Sequence, residues 1–385
     1  MRTALLGALL LALGAVAIAT GLLPVSDALA LGQRVWPILL FVVAITVLTE
    51  LAAAAGLFSV VAERLAKWGV QQGIVLWLLV VALAAVSTIF LSLDTTAVLL
   101  TPVVVAVARH VGLPPLPFAM TTVWLANSAS LLLPVSNLTN LLAADQLAGD
   151  GSPLRFAALM VAPAIVAIVV PVAVLFVVYR KQLTVRYESA EPSAPGDRVL
   201  LVASAVVVVL VLPALVSGIP VWIPAVLGAG ILAGFFVVRR RDALRFDLVP
   251  WQLVLLAAGL FLVVATASGL GLAALLRTVA GDGTGFLSLL RVAGTGVVAS
   301  NAVNNLPAYL ALEPTAGSPL RFAALLIGVN AGPLITPWAS LATLLWRQRL
   351  DGLGIPVTWR RYMALGILVV PLTVIGAIAA LALFG

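Results

Sequence analysis

Nine apolar runs and two closely spaced apolar pairs follow one another along the chain, and only one long polar stretch interrupts them. A helix needs about 20 predominantly apolar residues to cross the hydrocarbon core of a bilayer. The single runs are Thr3–Pro24, Val35–Gly56, Phe118–Ala144, Leu154–Tyr179, Val199–Ser217, Val221–Val238, Trp251–Leu272, Phe322–Trp346 and Tyr362–Phe384. The pairs are Gly73–Leu93 with Thr95–Ala108, and Phe286–Ser300 with Asn304–Leu312; the polar stretch is Arg180–Arg198. Of the 385 residues, 63% are hydrophobic and 9% charged, against roughly 45–50% and about 25% in soluble domains. So few charges cannot cover so much apolar surface in water, which excludes soluble enzymes and nucleic-acid binders, and disorder needs the opposite composition. The expectation is a multi-pass helical protein with the lipid bilayer as its first partner and no nucleic acid. The net charge of +7 then reads as basic loops facing an anionic cytoplasmic leaflet. With no cysteine, disulfides and thiolate metal sites are excluded. The first run ends near Ala28-Leu29-Ala30, which mimics a signal peptidase site, but its apolar core is too long for a signal sequence and predicts a retained span.

Orientation follows from the basic residues. If each pair is a re-entrant hairpin that returns to the side it entered from, and the N-terminus is cytoplasmic, the cytoplasmic segments carry Arg2, Arg64, Lys67, Arg109, Arg180, Lys181, Arg186, Arg198, Arg239, Arg240, Arg241, Arg245, Arg347, Arg349, Arg360 and Arg361. That is 16 of the 21 basic residues. Arg34, Arg155, Arg277, Arg291 and Arg321 remain outside. Full double spans in place of hairpins would split the basic residues badly, so the positive-inside rule selects the hairpins. The expected location is the plasma (inner) membrane.

The chain also repeats itself. The segment Asn127 to Leu142, with Pro134, Asn137 and Thr139, lines up with Asn330 to Leu345, with Pro337, Ser340 and Thr343, at a shift of 203 residues. Leu93-Asp94-Thr95-Thr96 aligns with Val303-Asn304-Asn305-Leu306 at a shift of 210, and Trp36-Pro37 and Pro250-Trp251 open corresponding spans. One hairpin enters from inside and the other from outside, so the halves are inverted, an arrangement common in secondary transporters that bind substrate at the midplane. The predicted fold is an all-α polytopic membrane protein of two inverted repeats, each with a re-entrant hairpin and an interrupted transmembrane helix. The predicted division is an N-terminal repeat with an extra first span (1–180), a cytoplasmic linker (181–198) and a C-terminal repeat (199–385). The near-identical strings Gly151-Ser-Pro-Leu-Arg155 and Gly317-Ser-Pro-Leu-Arg321 fall outside that shift and read as helix caps, Ser followed by Pro.

Polar residues within spans are costly and mark functional candidates. Four clusters converge. Ser92, Asp94, Thr95 and Thr96 lie at the first hairpin tip, and Ser300, Asn301, Asn304 and Asn305 at the second. Asn127, Ser130, Ser136, Asn137, Thr139 and Asn140 surround Pro134; Asn330, Thr336, Ser340 and Thr343 surround Pro337. A mid-span proline frees backbone groups, which is tolerable only beside a cavity or buried partners. Asp94 and Glu50 would each cost about 2.5–3.5 kcal/mol at a helix centre. Because burial favours the neutral form of a carboxyl group, both are candidate proton carriers. The expected substrate is a small solute, with a proton as coupling ion and sodium as the alternative. The pocket offers Asp94 and no assured cation, which disfavours a dianionic substrate. Arg291 is expected to reach the outer surface or act as a counter-ion, and His110 to sit in a solvated loop. There is no serine with a nearby base and no paired His/Asp ligand set, so no enzyme, cofactor or metal site is expected.

These residues resemble the ion transporter superfamily, and within it the arsenical-pump membrane permeases. The strings that carry the resemblance are Leu93-Asp94-Thr95-Thr96-Ala-Val-Leu-Leu-Thr101-Pro102, Ser300-Asn301-Ala-Val-Asn304-Asn305-Leu-Pro307-Ala, Gly328-Val-Asn330-Ala-Gly332-Pro-Leu-Ile-Thr336-Pro337-Trp-Ala-Ser340-Leu-Ala-Thr343-Leu-Leu-Trp346 and Thr49-Glu50-Leu-Ala-Ala-Ala-Ala-Gly56-Leu57-Phe58. The resemblance implies a scaffold part and a mobile transport part that holds the hairpins and interrupted helices. It further implies export of arsenite or antimonite as the neutral trihydroxide in exchange for protons, with a cytosolic ATPase subunit or a second copy of the chain as partner. Sodium–proton exchange and sodium-coupled organic anion transport are the alternatives within the superfamily; a channel is disfavoured by the paired broken helices. Asn137-Leu138-Thr139-Asn140 departs from the more usual Gly-Asn-Pro type sequence, and the chain is shorter than most members.

Overall fold

The computed structural model describes residues 2–149, 152–187 and 197–385, with residues 2–4 as backbone only. Residues 188–196, the middle of the expected linker, and Gly151, the first residue of one expected cap, lie outside the described residues. Among the described residues every named element is helical, and one isolated bridge joins Gln72 to Arg186.

Helix α1 (Arg2–Ala19) ends at a turn in which Gly21 adopts φ 76°. Pro24 then restarts the chain as α2 (Val25–Ala54). This second helix begins ten residues before the expected Val35, because proline with its fixed φ favours a helix start and Arg34 is carried within the helix. Gly56, at φ 84°, turns α2 into α3 (Leu57–Trp68). The first hairpin is α4 (Gly73–Leu91) and a π-helical turn Thr95–Leu100 that runs into α5 (Thr101–His110). The first interrupted helix is α6 (Pro115–Ser128), two 3₁₀ turns, Ala129–Leu131 and Pro134–Ser136, and α7 (Leu138–Ala148). After α8 (Pro153–Leu183), α9 (Arg198–Ala214) and α10 (Trp222–Arg239), the second half runs α11 (Trp251–Ala267) through a π-helical turn into α12 (Ala273–Ala280). The second hairpin is α13 (Phe286–Val303) and α14 (Asn305–Leu312); the second interrupted helix is α15 (Pro319–Ala331), a 3₁₀ turn Pro337–Ala339 and α16 (Leu341–Gly352); α17 (Trp359–Phe384) closes the chain.

Packing reproduces the two-fold relation. Helix α1 lies along α11 as α10 lies along α2; α4 packs on α6 as α13 packs on α15; α6 packs on α8 as α15 packs on α17. The α1–α11 seam depends on glycine: a Cβ at Gly7 would stand 2.6 Å from the Leu256 nitrogen, and one at Gly259 would stand 2.8 Å from the Leu11 nitrogen. Small residues allow such backbone approach where lipid supplies no hydrophobic drive between helices. A large apolar core joins the hairpins, the interrupted helices, α8 and α17. A smaller one centres on α2, α9 and α10. Large apolar side chains such as Val16, Ile165, Val209, Ile231 and Leu372 point away from both cores, as lipid-facing side chains do. Among the described residues, seven helices are long and apolar enough to cross a membrane, with α11 and α12 taken as one.

Both hairpins return to the side they enter from. On one face Arg239 pairs with Asp197 at 2.8 Å, Arg240 donates to the Ala54 carbonyl at 2.9 Å and Arg109 to the Leu353 carbonyl at 2.7 Å. This is the basic face. On the opposite face Arg34 pairs with Glu313, Arg277 donates to the Pro314 carbonyl at 3.4 Å, and buried Arg321 donates to the Gly283 and Ala316 carbonyls at 3.0 and 2.7 Å. Arg291 reaches the Val279 and Thr278 carbonyls at 2.6 and 2.8 Å; it is a surface staple rather than a counter-ion. The capping expectation holds for Ser152, which accepts from the Arg155 N–H at 3.5 Å. It fails for Ser318, whose buried hydroxyl has no partner; α15 is anchored by Arg321 instead.

Candidate functional site

Proline breaks both interrupted helices at mid-membrane, since it has no N–H to donate and its ring displaces the preceding turn. The hairpin tips meet these breaks. Each tip turns at a non-glycine residue with positive φ: Ser92 at φ 124°, ψ 163° and Asn304 at φ 107°, ψ 154°. That region is almost reserved for glycine and costs on the order of 1–3 kcal/mol elsewhere. Two tips with the same strained geometry mark Ser92 and Asn304 as counterparts, a shift of 212 residues. The expected pairing of Asp94 with Asn304 is therefore two residues out of register: Asp94 corresponds to Leu306, and only the first hairpin carries a carboxyl beside its tip.

A midplane cavity of about 70 Å³ lies where tips and breaks converge, and Ser92, Asp94, Asn137, Asn304, Asn305 and Ser340 all line it. One Asp94 carboxylate oxygen is enclosed without a hydrogen-bond partner, and so is the hydroxyl of fully buried Ser340. Ser340 starts α16 without capping it, whereas its counterpart Asn137 caps α7 by accepting from the Thr139 N–H at 3.3 Å. Below it a cavity of about 680 Å³ is walled by residues of the basic face and reaches Asp94 and Thr95; Thr46, Thr49, Glu50, Asp247, Gln252 and Arg349 are among its polar walls.

The other predicted residues build the frame. Asn330 crosses between the repeats: its carbonyl oxygen accepts from Asn137 at 3.0 Å and Thr139 at 2.8 Å, and its amide donates to Asn140 at 2.7 Å. Asn140 in turn donates to the carbonyls of Ser130 and Leu133, freed by the break, at 2.6 and 3.0 Å. Ser136 donates to the same two carbonyls. Asn301 plays that part in the second repeat: it accepts from the Thr336 N–H at 2.9 Å and donates to the Gly332 carbonyl at 2.9 Å. Thr96 bonds Thr88 and Ser87 inside the first hairpin at 2.9 and 3.0 Å. Ser300 donates to the Val297 carbonyl at 3.1 Å, and Asn127 to the Val123 carbonyl at 3.0 Å, both within their own helices. Thr343 is fully buried.

Sequence reasoning missed Thr49, which receives a long hydrogen bond from Thr95 at 3.4 Å, and Arg349. A β-branched residue directly before Glu50 and an arginine at a helix end carry no distinguishing pattern. Arg349 also supplies a cation that the sequence left unassigned: it stands in the larger cavity, although not at the midplane. Among the described residues no group of three or more acidic or His side chains is placed to hold a metal ion.

Residues 2–343 match the CitMHS family model, described as a citrate transporter. The arsenical pump membrane protein of Escherichia coli K12 is 32% identical over 96% of this chain and 92% of its own. The putative arsenical pump membrane protein of Bacillus subtilis is 26% identical over 92% of this chain and 89% of its own. Among solved structures, the YdaH transporter of Alcanivorax borkumensis superposes with a TM-score of 0.58 at 15% identity, over 99% of this chain and 97% of that one. The likeness to YdaH shows the fold; the family match and the curated relatives show the kind of protein. The chain belongs to the CitMHS family, a multi-pass membrane transporter of the ion transporter superfamily close to the arsenical pump membrane proteins.

Proposed function

We propose that the chain exports arsenite and antimonite as neutral trihydroxides in exchange for protons, by alternating access, with the basic face in the cytoplasm. The observation that carries this is the midplane cavity. A cavity needs about 10–15 Å³ to hold one water, so one of about 70 Å³ has room for a small hydroxide. Its polar lining is hydroxyls, amides and one carboxylate, which suits O–H groups that both donate and accept and gives an anion no counter-charge. In this reading Ser92, Asp94, Asn137, Asn304, Asn305 and Ser340 touch the cargo, with Thr95 beneath them. Thr96, Asn127, Ser136, Thr139, Ser300, Asn301, Asn330 and Thr336 hold the walls. Asp94 exchanges the proton and Glu50 passes it along the larger cavity. The relatives' name as arsenical pumps supports the cargo; the family's citrate label is at odds with a midplane cavity whose charged group is a carboxylate.

The test is accumulation in an arsenite-sensitive host. Cells expressing the protein should retain less arsenite and antimonite than empty-vector cells, and everted vesicles should load arsenite when acidified inside. Equal retention, together with sodium-dependent uptake of citrate or succinate, overturns the proposal.

A further inference from the structure

We propose that Arg34 and Glu313 form a gate that seals the face opposite the basic one, and that Arg349 with Glu50 and Asp247 form its counter-gate, the two closing in alternation. Arg34 belongs to α2, on the stretch that packs in the larger core through Leu31, Val35 and Ile38; Glu313 follows α14, at the end of the second hairpin. The guanidinium bonds both carboxylate oxygens of Glu313 and also donates to the Leu142 carbonyl of α7 at 2.9 Å. The Tyr309 hydroxyl donates to the same carboxylate at 3.1 Å. One arginine thus ties α2 to both an interrupted helix and a hairpin, the pieces between which a path on that side would open. The Glu313 side chain is only 13% exposed and that of Arg34 39%. Forked, partly buried geometry of this kind holds where a single-bonded surface pair would not.

On the basic face the charges are apart. Glu50 on α2 and Asp247 in the turn before α11 line the 680 Å³ cavity together with Arg349 of α16. Among the described residues no ion pair joins Arg349 to either carboxylate, and Asp247 is paired with Arg245 at 2.9 Å. The closed side therefore has its pair made and the open side has its pair unmade. The polarity is also reversed: α2 supplies the cation to one gate and a carboxylate to the other. Breaking the first pair while making the second keeps the two states close in energy, which a transporter needs if small ligands are to shift the balance. The midplane cavity shares Thr46, Asp94, Leu253 and Leu341 with the cavity of the basic face but no lining residue with the 470 Å³ cavity that Arg34 and Glu313 border, so the site is open to the first side and shut from the second.

The chain has no cysteine, so a single reporter can be read directly. Leu138 lines the midplane cavity; Leu138→Cys, in oriented vesicles with an impermeant maleimide on the Arg34 face, should label slowly. Glu313→Gln should raise that rate at least several-fold, and the charge-swapped Arg34→Glu/Glu313→Arg should return it toward the slow value. Adding Arg349→Glu, which cannot pair with Glu50 or Asp247, to Glu313→Gln should also restore slow labelling. A single symmetric peak on size-exclusion chromatography in detergent, as for the parent, shows that each variant is folded. An unchanged rate in Glu313→Gln, or a fast rate in the charge swap, overturns the gate; a fast rate that survives Arg349→Glu overturns the counter-gate. The readout requires no cargo, so its failure is separate from failure of the arsenite proposal.

Discussion

Asp94 is the residue on which coupling turns. One of its oxygens has no partner within the protein, and a buried acceptor left unpaired is costly, so a proton or a cargo hydroxyl gains what the protein does not supply. Asn keeps the shape and hydrogen bonds of Asp but exchanges no proton. Asp94→Asn should fold and reach the membrane yet lose export driven by a pH difference across vesicles, while Glu50→Gln at the wide end of the cavity should slow it less. The reverse order would move coupling to α2. The tips make a second prediction. Because Ser92 and Asn304 hold glycine-like φ, Ser92→Gly should be expressed at parental level or above, whereas Ser92→Val, β-branched at the same φ, should lower the thermal midpoint in detergent. Equal midpoints would show that the tip is not strained. Polar letters in apolar runs made these positions legible in the sequence; the register between them was not, because the match of Asp-Thr-Thr to Asn-Asn-Leu follows side chains and the tip is set by backbone.

At the scale of elements, the breaks are held by side chains from elsewhere. Asn330 leaves its own repeat to serve Asn137, Thr139 and Asn140. Asn330→Leu should cost about 1–3 kcal/mol for each buried partner it strands. Asn127→Leu should cost less, since Asn127 donates to a carbonyl of its own helix; equal losses of thermal midpoint would refute the cross-repeat role. The prolines at 134 and 337 announced both breaks in the sequence, but not that Asn330 rather than Asn127 spans the seam, because the two positions are equivalent by repeat and differ only in what the partner repeat presents. Outside the membrane, Asp197 caps α9 from the Val199 N–H at 2.9 Å and takes a hydrogen bond from Arg239 at 2.8 Å. The Arg239 hydrogen bond, with help from the cap, holds its carboxyl below the usual carboxylate range. A lowered value contributes stability above the unfolded pKa of about 3.9 that is lost as pH falls through the folded one. Asp197→Asn should therefore lower the thermal midpoint by a constant amount from neutral pH to about pH 4, and the difference from the parent should shrink only below that.

Over the whole molecule, the way α1 lies on α11 and α10 lies on α2 bears on how the chain divides. We propose that α1 and α10 are counterparts and that the helix without a counterpart is α9, which places the additional span at the start of the second repeat instead of the start of the first. Ten or so apolar runs announce a membrane protein, but which run is supernumerary depends on contacts that hydropathy does not encode. Sidedness, by contrast, rests on charge: 16 of 21 basic residues are expected on one side, and the hairpins return to their own faces as that count requires. Asp242 on the basic face is exposed, with its side chain 77% accessible, and Asp282, between α12 and α13, is exposed on the other. In the cysteine-free chain, Asp242→Cys should react with an impermeant maleimide only after the cytoplasmic side is opened to it, and Asp282→Cys should react in intact cells depleted of their outer barrier. An anionic cytoplasmic leaflet attracts the basic loops and makes this orientation the stable one. Labelling of both from the same side would break the inversion of the repeats; labelling of each from the side opposite to that expected would keep the inversion and turn the transporter over, making the gate at Arg34 the cytoplasmic one.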